Sequence, residues 1–562
     1  MTGLDKNERD KVSASTDKSD KRDRLPFVLS VAVTLLVMAV YLMTLSPGIS
    51  WAHNSADAGD LITAAWVAGI AHPTGYPLFC ILGWLWTHIL ALGSVAWRMN
   101  AFSAFWGAMA SGILVRTVWR SLEMAPETIA GRISRSSRAA ASVSAGLLLG
   151  FSLYVWQQSV VTEVYSLALF FVSLVTWELT ELLAGANEAG DPDVKENAIA
   201  WDRKRARLVM LLGLSWGLSL TNHMTGLFLF PSIMVVLFFG GLGLKLKDFL
   251  KGAGCFVIAL LLYLYLPIRS AMNPPLNYGD PKTLEGFIWL VTGRQFKTLM
   301  FSLLPYISLH QIMRYNSLPL QIGALGAFAG LIGVIGLTQA KTRPVIVFAA
   351  HTFLLVGASL FVLASYSIFD PEGYILSMIL AASIWAAWSI AAFSGMPGNI
   401  RKAVRTITVI ILILAPLVLL VNNWKACDLS ANREAMKFGE QSFANFEPNA
   451  IVLEIGYERS FVMWYYREVE YAKERPDVSV IYLWHLVYQW GIDLIKRKYP
   501  VLEIPDKPIE GKFPVAESAA YIIRHNIDKY PIYIGSTVNE LTAEGYRFQA
   551  IGYGFRVFPP GK

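Results

Sequence analysis

The chain has 562 residues, of which 54% are hydrophobic, 13% aromatic and only 16% charged, against roughly 25% charged in a soluble domain; this excludes a water-soluble fold for most of its length. The net charge of +7, from 48 Lys+Arg and 41 Asp+Glu, is small for such a chain, so nucleic acid is not an expected partner. Three scattered cysteines provide neither a disulfide framework nor metal-ligand spacing.

Residues 1–24 mix basic and acidic side chains with little apolar surface and read as a disordered cytosolic tail. The run from Leu25 to about Leu45 is too long for a signal-peptide core, lacks a small-residue cleavage site and ends at Ser46-Pro47-Gly48, so it is expected to stay as a first transmembrane helix with its N-terminus in the cytosol. The apolar run Tyr76 to Leu92 resembles a second span. If it crossed, however, Arg116, Arg120, Arg132, Arg135 and Arg138 would face outside, against the positive-inside rule. Residues 57–95 are therefore read as helices lying along or dipping into the outer face.

With that assignment the basic loops 132–138, 203–207, 245–251, 341–343 and 401–405 all fall inside. Apolar runs of about 17 to 25 residues, the length that crosses a bilayer, place spans near 26–45, 100–120, 139–158, 164–186, 206–221, 223–243, 252–268, 318–338, 345–366, 372–393 and 405–421. The fold class expected is thus a polytopic α-helical membrane protein with about eleven transmembrane helices over 25–421. An odd count puts the C-terminus outside, at the periplasmic face if the membrane is a bacterial cytoplasmic one. Over 422–562 charge returns, and β-rich runs at 450–455, 478–484, 531–534 and 548–558 alternate with helical stretches around 431–445 and 458–473, which predicts a small extracytosolic α/β domain.

The informative polar residues gather at the outer face. Asp57 and Asp60, at i, i+3, share one face at the start of an apolar helix, where the helix dipole favours negative charge; simple N-capping explains Asp57 equally well. His72-Pro73-Thr74-Gly75-Tyr76-Pro77 is a rigid turn that carries an imidazole and a phenol close by. Glu163, beside Tyr165, lies between the third and fourth spans, where a carboxylate is costly unless it is paired or functional. Asn222-His223, Arg269 at the end of the seventh span, and Asp370 with Tyr374 complete the set. Arg269 at a helix end is also what lipid-headgroup snorkelling produces. Several acids with a cation suit transfer from a phosphate-linked donor: a carboxylate deprotonates an acceptor hydroxyl and a cation meets the departing phosphate.

The stretches Asp57-Ala58-Gly59-Asp60-Leu61, Ala71-His72-Pro73-Thr74-Gly75-Tyr76-Pro77-Leu78-Phe79 and Arg98-Met99-Asn100-Ala101-Phe102-Ser103-Ala104 resemble the N-terminal block of the DUF2723 family, which includes TMEM260-type protein O-mannosyltransferases among the GT-C glycosyltransferases. The likeness continues through Glu163-Val164-Tyr165, Leu264 to Arg269, Asn273 to Pro281 and Pro448 to Ile451. The resemblance implies a GT-C fold and an extracytosolic site that takes a sugar, mannose in the characterised relatives, from a polyprenyl- or dolichyl-phosphate donor. The acceptor hydroxyl would be on protein Ser/Thr, a glycan or a lipid.

It also implies a first-loop acid as general base, which maps onto Asp57 or Asp60; Asp60 stands where the family more often has Glu, and which of the two is the base stays open. Glu163 joins them as a candidate catalytic residue. His72, Tyr76, Asn100, Tyr165, Asn222, His223, Arg269, Asp370 and Tyr374 are the candidate substrate- and donor-binding residues. No cofactor is expected, because the acids form no dense ligand cluster for a divalent ion. A transporter or flippase of lipid-linked precursors would line a midplane path with polar groups, whereas these acids cluster at one face. A non-catalytic scaffold would require the carboxylates to be dispensable.

Overall fold

The structure is a computed structural model and describes residues 24–188, 195–315, 318–367, 371–552 and 554–561. The tail expected over 1–24 lies outside these residues save Arg24, which opens the first helix, and so does Asp370. Among the described residues, eight helices are long and apolar enough to cross a membrane. A ninth candidate is the pair Arg135–Phe151 and Leu153–Ser159, bent by 61° where Ser152 takes extended backbone (ψ 146°).

The two remaining expected spans, 206–221 and 223–243, fall on helices that miss that criterion. Lys195–Asn222 begins with charged turns, and Met224–Phe239 is a shorter apolar helix. The helices at 57–95 are Ala58–Trp66 (α1) and Pro77–Ile89 (α2), 9 and 13 residues long, well below the ~20 needed to span.

Burial ranks the long helices. Pro371–Ala392 is 94% buried over its apolar window and forms the centre of the bundle, whereas Leu246–Ala271 is 17% buried and faces outward. The central helix packs on Leu318–Gln339 through a face carrying Gly330, Gly333 and Gly336. A Cβ on Gly333 would sit 1.5 Å from the Trp385 carbonyl oxygen, so only glycine allows this close crossing.

The C-terminal domain is a five-stranded sheet in the order β2-β1-β3-β5-β4. β1 (Ile451–Glu454), β2 (Ser479–Tyr482) and β3 (Ile532–Ile534) are parallel, and β4 (Arg547–Ile551) and β5 (Gly554–Phe558) form an antiparallel hairpin. The single strand expected over 548–558 is therefore two, reversing between Ile551 and Gly554, which pair. A separate core of Ile451, Leu453, Ile481, Ile523 and Ile534 holds one face of the sheet.

This domain seats directly on the loop that follows the first helix. Its helix α3 (Tyr457–Tyr465) lies against α1 so closely that a Cβ on Gly59 would be 2.2 Å from the Phe461 carbonyl oxygen. The Trp51 indole donates to the Glu458 carbonyl at 3.3 Å. The segment 273–281 ties the same loop from a second side. The Ile70 amide donates to Leu276 O at 2.9 Å, and the Tyr278 amide donates to Ile70 O at 3.1 Å. Buried Asp280 then accepts from Asn277 Nδ2 (3.0 Å) and Ser270 Oγ (2.9 Å) of that segment and its flanking helix, and from Arg497 (2.7 Å) of helix α4 (Gln489–Lys498) in the outer domain.

Candidate active site

Asp57 occupies the N-cap position of α1, yet its side chain makes no capping bond. Its carboxylate Oδ2 lies instead 3.3 Å from His72 Nε2, with the side chain about 30% exposed. One turn on, Asp60 is fully buried. Its Oδ2 accepts the His72 backbone N–H at 2.9 Å and lies 2.7 Å from His72 Nδ1.

The turn that presents His72 closes with the Gly75 amide on His72 O at 2.7 Å. Gly75 (φ +83°) and Tyr76 (φ +42°) take left-handed backbone before Pro77 starts α2. This folds the Tyr76 hydroxyl back to 2.9 Å from His72 Nε2 while it donates to Pro73 O at 2.8 Å. With that hydroxyl proton committed, the network asks both imidazole nitrogens to donate, Nδ1 to Asp60 and Nε2 to the Tyr76 oxygen, with the Asp57 carboxylate beside Nε2. Burial raises the Asp57 carboxyl above the ordinary carboxylate range; the His72 charge opposes the rise and the Asp60 charge adds to it.

From this pair an aromatic path leads into the bundle. Tyr76 stacks on His223 (centroids 5.8 Å, 13° between planes), and His223 sits between Tyr165 (5.4 Å) and Tyr374 (5.5 Å). The His223 Nδ1 accepts the Thr225 amide at 3.2 Å, which leaves Nε2 as the donor nitrogen. Glu163 is buried and its backbone N–H donates to Ser103 Oγ at 3.3 Å. The Tyr76 phenol is pushed well above its usual range by burial first, then by Asp57, Tyr374, Asp60 and Glu163, so these groups act on one locus. Beyond Tyr165 and Tyr374 opens a cleft of about 430 Å³, counting its open side, walled by Leu169, Val172, Phe228, Leu355 and Leu376.

The structure brings together Asp57, Asp60, His72, Tyr76, Glu163, Tyr165, His223 and Tyr374. Three expected residues are engaged elsewhere. Asn100 donates to Ser46 O (3.0 Å) and Gly48 O (2.9 Å) and accepts from Thr162 Oγ1 (2.6 Å), which stitches the exit of the first helix to the loop after the third. Asn222 Nδ2 donates to Val164 O at 3.2 Å and holds the loop that bears Glu163.

Arg269 donates from Nε to Ala68 O at 2.7 Å and from Nη2 to Val67 O at 3.4 Å, at the C-terminal end of α1. A nine-residue helix separates that end from Asp57 by about 13 Å. Arg269→Lys is expected to lower thermal stability by about 1 kcal/mol, the scale of a hydrogen bond or a helix-end cation; thermal melts check it.

The outer domain contributes two residues that the sequence did not single out. Phe461 stacks on His72 (6.2 Å, 17°), and the Tyr482 phenol is raised by burial and then by the Asp57 charge. The density of rings in Tyr457, Phe461, Trp464, Tyr465 and Tyr466 was the available signal. Among the described residues no three His, Cys, Asp or Glu side chains converge in an arrangement that would hold a metal ion.

A bundle of long apolar helices, with acids and a histidine gathered at one end beneath a small α/β domain, defines a polytopic α-helical membrane protein. Over 94% of this chain and 97% of the other, the fold is similar to the apo crystal structure of ArnT from Cupriavidus metallidurans, with a TM-score of 0.51 at 13% identity. Residues 57–243 match the family model of the protein O-mannosyl-transferase TMEM260 N-terminal domain, and residues 435–519 match that of TMEM260-associated domain 2. The first match begins at Asp57, and the second includes α3.

The protein O-mannosyl-transferase TMEM260 of Mus musculus is 28% identical over 509 residues, 86% of this chain and 67% of the relative. Its Dictyostelium discoideum counterpart is 25% identical over 540 residues, 88% of this chain and 62% of the relative. The chain thus spans about two thirds of the length of these relatives.

Proposed function

We propose that this protein is a glycosyltransferase that moves a sugar, mannose by likeness to its relatives, from a polyprenyl- or dolichyl-phosphate donor to a hydroxyl of a protein or glycan at the extracytosolic face. The observation that carries this reading is Asp57: a first-loop carboxylate free of capping, fixed by an imidazole that a buried second carboxylate orients, and joined by stacked rings to an apolar cleft. The acceptor oxygen attacks the anomeric carbon in line and its proton passes to Asp57. The bond from that carbon to the phosphate oxygen breaks with inversion, and the phosphate leaves on the isoprenoid lipid. His223 Nε2 is the donor placed to meet that phosphate, and the cleft below Tyr165 and Tyr374 takes the first isoprene units. Asp60 is a positioning residue that holds His72. Transfer should persist in chelator; its loss there would point to a divalent ion held by the acids.

Purified protein in lipid, given polyprenyl-phosphate sugars and followed for release of the lipid phosphate, tests the reading; no release from any of them overturns it. Because the base acts only when ionised, kcat/KM should fall on acidification, along a limb lying above the ordinary carboxylate pKa of about 4, since burial raises Asp57. Asp60→Asn removes a like charge and should move that limb to lower pH. His72→Gln removes the opposing positive neighbour and should move it to higher pH. Rate profiles of the three proteins check both signs. For the orientation, a cysteine placed at Arg135 should resist an impermeant reagent added from outside.

A further inference from the structure

A second pocket lies between the segment 275–278 and the outer domain, apart from the carboxylate pair and the cleft. It measures about 390 Å³ counting its open mouth, and Tyr278, Trp464, Tyr482, His485 and Tyr499 line it with rings. Three of these rings surround the imidazole: Tyr278 at 4.8 Å, Tyr482 at 5.1 Å and Trp464 at 5.3 Å between centroids.

Two lining residues each carry a buried atom without a hydrogen-bond partner, His485 Nε2 and Asn277 Oδ1, on residues 4% and 0% exposed. Leaving such atoms unpaired costs free energy that a polar ligand would return. The pocket carries no uncompensated charge. Lys498 at its rim is held by Glu468 at 2.8 Å and donates to Pro275 O at 2.9 Å. Burial, with Lys498 adding, drives His485 down to about 3, so the ring is neutral and offers one donor or acceptor rather than a cation.

Ring faces, two neutral hydrogen-bonding atoms and balanced charge together select against two ligand classes: an apolar chain would leave both atoms unpaired, and an anion would have to compete with Glu468 for Lys498. They suit a neutral polyol ring, whose C–H faces lie on aromatic surfaces while its hydroxyls bond at the edge. The position fits as well. Tyr482 ends β2, and the carboxyl ends of parallel strands are where open α/β sheets bind ligands. Phe461 joins the two places, its ring centroid 6.2 Å from that of His72 and 6.0 Å from that of Tyr482, so one ring separates the pocket from the carboxylate pair.

We propose that this pocket is a carbohydrate subsite that holds a neutral pyranose by stacking on Tyr278, Trp464 and Tyr482 and by hydrogen bonds to His485 and Asn277. The assignment deepens the glycosyltransferase reading and rests on it for the choice of ligand. It is tested on the full chain in lipid nanodiscs with methyl α-mannopyranoside, methyl α-glucopyranoside and methyl α-galactopyranoside, by saturation transfer from protein to sugar protons.

At least one glycoside should show transfer in the wild type. The signal should fall about fivefold or more in His485→Phe and in Asn277→Leu, the scale of one lost hydrogen bond, and recover in His485→Gln. In the enzymatic assay His485→Phe should raise KM with kcat nearly unchanged. Absence of transfer from all three glycosides, or equal signals in wild type and both variants, overturns the proposal and leaves the two atoms to bound water. If His485→Phe does not fold, the wild-type measurement and Asn277→Leu decide. Saturation transfer without any sugar-transferase activity would keep the subsite and sink the glycosyltransferase reading, whereas activity without saturation transfer would sink the subsite alone. Displacement by a polyprenyl-phosphate sugar identifies the ring as the donor's, and displacement by a glycosylated acceptor identifies it as the acceptor's.

Discussion

Asp57→Asn is expected to lower sugar transfer about 10²- to 10⁴-fold, the usual contribution of a positioned general base, with folding unchanged. The reason is a bond that Asp57 does not make. An N-cap aspartate normally accepts an amide hydrogen at the start of its helix, and replacing such a cap costs about 1 kcal/mol. Here no such bond exists, so the substitution removes basicity and the charge of the 3.3 Å contact to His72 Nε2, while the amide keeps the shape of the side chain. The side chain is about 30% exposed, which leaves room for an acceptor hydroxyl beside it.

Asp60→Asn should behave differently. Its carboxylate is wholly buried and binds both the amide and the ring of His72, and breaking a buried charged pair costs about 3 to 5 kcal/mol. Thermal stability and rate should therefore fall together. Single-turnover release of polyprenyl phosphate, measured beside thermal melts, separates the two cases. If Asp57→Asn and the double variant both transferred at the wild-type rate, Asp57 would lose its assigned role.

Gly59→Val should loosen the outer domain from the membrane part and reduce transfer by about 10²-fold, since a displacement near 1 Å at a reacting group has effects of that size. The new Cβ would meet the Phe461 carbonyl oxygen at 2.2 Å, a backbone atom that cannot rotate away, so α1 and α3 must separate. α1 carries both carboxylates, and Phe461 lies on His72, so the separation reaches the site itself. Overpacking of this kind also costs about 1 to 3 kcal/mol. Limited proteolysis should release the domain from 434 onward faster than in the wild type. Gly254→Ala is the matched control: nothing lies within 4 Å of its Cβ position, so removing a helix-interior glycine there should be neutral or stabilising by about 0.5 to 1 kcal/mol. Equal proteolysis rates in Gly59→Val and Gly254→Ala would show that the α1–α3 contact does not hold the domain.

The sequence by itself determined the class of molecule and its layout. Runs of apolar residues match helices because a bilayer rewards length and hydrophobicity irrespective of tertiary neighbours. The strands at 451–454, 479–482 and 532–534 fall within the runs read from composition, because each is short, apolar and bounded by turn residues. Asp57, Asp60, His72 and Tyr76 were also legible, since they lie within twenty residues of one another and local spacing brings them together.

Tertiary structure alone decided their roles. Whether Asp57 caps a helix or faces an imidazole is a choice of side-chain direction, which no sequence periodicity encodes. Arg269 reaches carbonyls 201 and 202 positions away, and the Trp51 bond to Glu458 spans 407. The rings at 457–466 gain their place at the site only because α3 presses on α1. Propensity and hydropathy are properties of short windows, whereas the environment that makes one carboxylate a base and its neighbour a prop is built by groups from opposite ends of the chain, whose meeting is an outcome of packing.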